Sequence, residues 1–273
     1  MPNAKALFEA GRLGDAVQEL NQAVKASPAD MSLRIFLFEL LCFQGDLDRA
    51  ARQLDVVAVQ SGDAGVEMAV QAYRGLLAAE AARRVVFHGD ALPKFIAPPH
   101  PHVERYLLLL KKLRSASDEE IGSMLEQAEE ESPSVGGARG GRAFSSFRDA
   151  DDRVAGVLEV LHEGEYLWVP FDQIRRLDIT PPKKLRELMW VQAKLEVDGQ
   201  PEGDVFIPTR YTDSHLHQDD NVKLARLTEW EAWHDRMVIG QGQRVFLVDG
   251  EEIALLDLGA VSFTAQPAGA PAA

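Results

Sequence analysis

The chain has 273 residues, 46% hydrophobic and 26% charged, with a formal net charge of −14. That composition excludes a disordered or fibrous chain, and an acidic balance shared by both halves argues against a nucleic-acid partner. One cysteine, Cys42, excludes an internal disulfide and fits a reducing cytosol.

The N-terminus leads straight into an amphipathic helical pattern, with no basic stretch ahead of an apolar one, so no signal peptide is expected. Then one pattern occurs twice. "EAGRLGDAVQEL" (9–20) and "CFQGDLDRAARQL" (42–54) overlay at an offset of 34 residues, placing Gly11 on Gly45, Ala16 on Ala50 and Leu20 on Leu54. Pro28 and Gly62 end the two copies. This is the tetratricopeptide period: glycine at the turn, alanine where helices approach closely, proline or glycine at the stop. Between the copies, "MSLRIFLFELLCF" is apolar almost all round. Leu33, Phe36, Leu37, Leu40 and Leu41 make one stripe, and Ile35, Phe38 and Phe43 lie outside it. Each large side chain buried is worth about 1.5–3 kcal/mol, so the second face must be covered by the rest of the chain or by a visiting helix.

A third helical pattern follows through Val66, Tyr73 and Leu77. Prolines mark a connection over 89–101, and "VERYLLLLKKLR" reads as another helix. Ser117 and Glu120 form a capping box ahead of "IGSMLEQAEEES". No apolar run approaches the roughly 18 residues of a membrane span. "SPSVGGARGGRA" is a composition break that reads as a linker. Beyond it, "WVQAKLEV" alternates with period two, and Asp198-Gly199 and Asp249-Gly250 are hairpin signals. "EYLWVP" is a further strand, whereas "ADDRVAGVLEVL" and "PKKLREL" read as helices. The expected architecture is α+β: an all-α tetratricopeptide-like array over 1–132, a glycine-rich linker over 133–147, a mixed, mainly antiparallel domain over 148–264 and a disordered tail over 265–273.

Most candidate sites have a structural explanation. Asp149, Asp151 and Asp152 suit a helix cap beside Arg148 and Arg153. "GGARGG" lacks the Lys-Ser/Thr of a phosphate loop. Cys42, on an apolar helix with no basic neighbour, is a buried thiol. His215 and His217, with Asp213, Asp219 and Asp220, could chelate a metal, but spacing fixes no third ligand, and a solvated loop is the simpler reading. Trp168, Phe171, Arg210 and Tyr211 are residue types that carry interface energy, with core packing as the competing reading.

From Phe144 onward, "FSSFRDADDRVAGVLEVLHEGEYLWVPFDQIRRLDITPPKKLRELMW", "IPTRY", "DDNVKLARLTEW" and "GQRVFLVDGEEIALLDL" resemble the ImpE family, also called TagJ or SciE-type proteins, and the helical repeats are similar too. The glycine-rich "GGARGG" and a variable segment, "HDRM" at His234, depart from the family pattern. The resemblance implies a non-enzymatic, cytoplasmic accessory protein of bacterial type VI secretion, without cofactor, metal or membrane contact. Its partner would be a helix of the small subunit of the contractile sheath, with the AAA+ ATPase that recycles the sheath as a second candidate. On this reading a groove between the leading helices receives the visiting helix through Leu7, Phe8, Phe36, Leu37, Leu40 and Phe43. The alternatives are a metal-dependent enzyme using the His215–Asp220 loop and a generic helical-repeat scaffold.

Overall fold

The computed structural model describes residues 2–233 and 236–264. The expected tail over 265–273, and His234 of the variable segment, lie outside them.

Five helices come first: α1 (Pro2–Glu9), α2 (Leu13–Ala26), α3 (Met31–Gln44), α4 (Leu47–Ser61) and α5 (Ala64–Phe87). The repeat pattern explains their turns. Gly11 and Gly45 sit at φ +74° and +82°, a conformation that favours glycine. Past α3, the Gly45 and Asp46 N–H groups donate back to the Cys42 and Leu41 carbonyls, closing the helix end. Asp30, Asp46 and Asp63 cap α3, α4 and α5 by accepting first-turn N–H groups. Ala16 and Ala50 are fully buried, where small side chains let the helices close together.

The connection after α5 contains a short strand, β1 (Lys94–Phe95). Helices α6 (Val103–Lys112) and α7 (Asp118–Glu131) follow, the latter opened by the Ser117–Glu120 capping box. The rest is mainly β. A nine-stranded sheet runs β1, β6 (Glu165–Pro170), β5 (Val157–His162), β9 (Gly203–Pro208), β8 (Trp190–Val197), β7 (Ile174–Ile179), β14 (Ala260–Thr264), β2 (Gly136–Arg139) and β3 (Arg142–Phe144). All its pairs are antiparallel except β1 with β6. A smaller sheet joins β13 (Glu251–Ala254), β12 (Val245–Val248) and β4 (Phe147–Asp149), and β10 (Thr228–Trp233) pairs with β11 (Met237–Gly242). The short helix α8 (Asp220–Lys223) lies between β9 and β10.

Three expectations are corrected. The supposed linker is the β2–β3 hairpin at the sheet edge, turning at Gly140-Gly141. Gly137 within it is required by close approach: a Cβ there would stand 2.2 Å from the Ser262 carbonyl oxygen of β14. "ADDRVAGVLEVL" is a single 3-10 turn (Asp152–Val154) followed by β5. Its apolar run is buried on both faces, so periodicity could not separate strand from helix. The stronger signal was Glu163-Gly164, both at positive φ, which turns β5 into β6. "PKKLREL" also yields only a 3-10 turn, Leu185–Leu188.

The sheet has two buried faces, divided by strand alternation. Val191, Ala193, Leu195 and Val197 of β8 join Leu158, Val160, Phe171 and Phe246 in one core. The opposite face carries Val157, Leu161, Tyr166, Trp168 and Trp190, and these belong to the same buried cluster as α1–α5. The helical array and the sheet therefore share a core.

Candidate protein-docking site

The six side chains expected to line a groove do not form an open one. Leu37, Leu40 and Phe43 are 0–1% exposed, and Phe38 is sealed against Tyr73 of α5 with ring centroids 5.6 Å apart. This corrects the assignment of Leu37, Leu40 and Phe43 as docking residues. The face of α3 that needed a cover is covered by the chain's own second half: Leu185, Leu188, Met189, Trp190 and Leu224 join the helical core. Leu7, Phe8 and Phe36 stay half-buried, with the Phe8 and Phe36 rings edge to face at 6.3 Å.

The cover is held by charged groups placed on helix ends. Arg210 donates to the Phe43 carbonyl (2.8 Å) and the Cys42 carbonyl (3.2 Å) at the end of α3, and its guanidinium lies 5.4 Å from the centre of the Phe43 ring. Arg226 does the same for α1, donating to the Phe8 (2.9 Å) and Glu9 (3.1 Å) carbonyls and stacking on Phe8 at 5.0 Å. The Asp220 carboxylate accepts from the Leu13 N–H (2.7 Å) at the start of α2. Each places a charge where the helix dipole favours it and satisfies a backbone group the helix cannot. The 213–226 segment is thus a clamp across the repeat turns. A Cβ on Gly45 would stand 2.1 Å from the His215 ring, and one on Gly11 would stand 2.7 Å from Asn221.

Beneath the clamp lies a buried charged network. Glu159 on β5 accepts from Arg83 of α5 (2.6 Å and 3.1 Å), from the Tyr166 hydroxyl (2.6 Å) and from Arg244, which also pairs with Asp149. Arg83 reaches the Arg210 carbonyl (2.9 Å) and Glu80 (3.3 Å). The Tyr211 hydroxyl lies 2.9 Å from Asp149 Oδ1 and accepts from the Val245 N–H. Burial pushes the Asp149 carboxyl up to about 6 even beside Arg244. Trp168, Phe171, Arg210 and Tyr211 are all buried, so their assignment as interface candidates is corrected to core and clamp.

The aspartate cluster is structural. Asp151 accepts from the Arg153 N–H (2.9 Å) at the 3-10 turn and pairs with the same guanidinium, and Asp152 pairs with Arg148. Cys42 is buried, which pushes its thiol pKa up and makes it a poor nucleophile. The His215–Asp220 loop is spent on packing. His215 faces Gly45, His217 accepts from the Asp219 N–H (3.0 Å), Asp219 caps α8 and Asp220 caps α2. Burial, together with Arg84 and Arg210, lowers the His215 pKa to about 4. Sequence reasoning passed over one constellation, "HPH" at His100–His102, which meets Asp172; two histidines flanking a proline were the available signal. Burial lowers the His102 pKa.

Two accessible apolar surfaces of the helical array are candidates. One is the half-buried strip of Leu7, Phe8 and Phe36. The other is the shoulder between α4 and α5, where Val59 (86% exposed) and Met68 (71%) flank an open depression lined by Ala58, Ala64, Glu67 and Gln71. No described helix is long and apolar enough to cross a membrane.

Known proteins share both halves. Residues 7–79 match the family model described as tetratricopeptide repeat, and residues 141–262 match the one described as ImpE protein. The type VI secretion system accessory component TagJ of Pseudomonas aeruginosa is 36% identical over 260 residues, spanning 95% of this chain and 90% of that protein. The crystal structure of protein VPA1032 from Vibrio parahaemolyticus aligns with a TM-score of 0.88 at 29% identity, covering 96% of this chain and 97% of that one. With both halves matched and similarity running almost end to end, this chain belongs to the ImpE/TagJ family of type VI secretion accessory proteins.

Proposed function

We propose that the protein is a non-enzymatic adaptor in the bacterial cytoplasm that binds a helix of the small sheath subunit of the type VI secretion system and links the sheath to its AAA+ recycling ATPase. The observation that carries this reading is the near full-length similarity to an accessory component of that system. The repeat array supports a protein partner, and helical arrays commonly receive an amphipathic helix through apolar anchors. Because the chain fills its own inner face, the visiting helix takes the strip of Leu7, Phe8 and Phe36. The acidic surface suits a basic partner and acts on association rate more than on strength.

The test is affinity capture from the native cell with wild type and with Phe36→Asp, at a half-buried position whose substitution leaves the sealed Phe43 untouched. The expected result is co-capture of both sheath subunits by wild type and at least a tenfold loss with the variant, with circular dichroism confirming its fold. Absence of sheath subunits from the wild-type capture overturns the adaptor reading. A second site rests on the exposure of Val59 and Met68: loss of capture with Met68→Asp but not with Phe36→Asp moves the docking surface to the α4–α5 shoulder.

A further inference from the structure

Away from the clamp, three side chains with metal-ligand chemistry converge from two segments. His100 and His102 close the proline-rich connection ahead of α6, and Asp172 lies in the 3-10 turn after β6. His100 Nδ1 is hydrogen-bonded to Asp172 Oδ2, and His102 Nε2 lies 3.7 Å from Asp172 Oδ1. The two imidazole centroids are 6.2 Å apart. One donor atom from each residue falls within 4.8 Å of the other two; among the described residues, this is the one group of three or more that does so.

The surroundings suit an ion better than an ion pair alone. The His102 side chain is 5% exposed and that of Asp172 13%. Asp172 Oδ1 is buried and has no hydrogen-bond partner, a costly state for a carboxylate oxygen. An imidazole–carboxylate pair satisfies only the other oxygen. The His100 side chain is 47% exposed and has room to swing from hydrogen bond to ligation. Both His102 and Asp172 line a cleft of about 210 Å³, which gives an ion a route in.

We propose that His100, His102 and Asp172 form a binding site for a divalent transition metal, with Zn²⁺ the best match. Two imidazoles and one carboxylate are borderline ligands of the kind Zn²⁺ takes in tetrahedral sites. Metal–ligand distances of about 2.0–2.2 Å place neighbouring donors about 3.4 Å apart, close to the separation already present between His102 and Asp172. Three protein ligands leave a fourth position for water or for a donor from a partner. The site joins the connection to the sheet at a point where Gln173 already donates to the Pro98 carbonyl (2.8 Å) and β1 pairs with β6. A bound ion therefore staples the connection ahead of α6 to the β half.

The test uses untagged full-length protein stripped with a chelator and titrated calorimetrically with Zn²⁺ alone, with thermal unfolding followed in parallel. The expected result is one equivalent bound and a rise in Tm of several degrees, because ligand binding to the folded state stabilises it. His100→Ala, at a half-exposed position, is expected to keep the metal-free Tm and lose at least tenfold in affinity; Asp172→Asn is expected to do the same. His217→Ala, in the clamp loop, is expected to bind as wild type does. Absence of saturable binding overturns the proposal, and so does binding by His100→Ala and Asp172→Asn with wild-type affinity.

Discussion

Arg244 shows how much one buried side chain is asked to do. It is fully buried and pairs with Asp149 and Glu159, whose carboxylates also accept from Arg83 and two tyrosine hydroxyls. Removing one member of such a network leaves buried charge uncompensated, which costs about 3–5 kcal/mol. Arg244→Met is therefore expected to lower the unfolding free energy read from a urea titration by that amount, and a loss under about 1 kcal/mol would mean that water reaches the carboxylates. His215 carries a separate, pH-dependent prediction. Its folded pKa of about 4 lies below the usual 6.5. The folded state thus resists the proton, and the associated stability is present above pH 6.5 and is lost as pH falls toward 4. Discounted for partial exposure, the effect is about 1–2 kcal/mol. Asp149, raised to about 6, works with the opposite sign, so its contribution is lost as pH rises from about 4 to 6. The readout is therefore the difference between wild type and His215→Gln across pH 4–7. The variant is expected to lose less stability on acidification, and parallel curves would remove His215 from the account.

At the level of elements, two glycines with the same backbone conformation have different jobs. Gly45 and Gly62 end successive helices at φ +82° and +59°. A Cβ on Gly62 meets nothing within 4 Å, whereas one on Gly45 collides with His215. Gly62→Ala is expected to cost about 1 kcal/mol, the strain of a left-handed residue. Gly45→Ala is expected to cost at least twice that, because the clamp loop must also move. Equal losses in thermal unfolding would show that the loop docks loosely. The Gly–Ala–Leu spacing made the repeat turns readable, but nothing in it revealed that a loop some 170 residues later packs on one of them. The same limit explains the docking residues. An apolar helix announces that it will be covered and is silent on what covers it, and Arg210 and Arg226 are recognisable as caps only once their partner carbonyls are in place. Strands with clean alternation, such as β8, were legible. β5, buried on both faces, was not, and the glycine hairpin resembled a linker because close approach and flexibility call for the same residue.

For the whole molecule, the question is whether two halves recognisable separately in sequence also fold separately. The helical cluster extends through Val157, Tyr166, Trp168 and Trp190 of the sheet, and Arg83 of α5 meets Glu159 of β5 inside it. Cutting after residue 132 would expose that apolar face and strand Arg83 without its carboxylate partner on β5, so neither half is expected to be stable alone. Two probes separate the outcomes in the intact chain. The four tryptophans, at 168, 190, 230 and 233, all lie in the β half, while α1–α7 dominate the far-ultraviolet helical signal. Tryptophan fluorescence and helical ellipticity are expected to fall together along a denaturant titration, as a shared core requires. If helicity is lost first, with fluorescence unchanged, the array is a separate unit that leans on the sheet, and its inner face then becomes available to a visiting helix whenever the clamp of Arg210, Asp220 and Arg226 lets go.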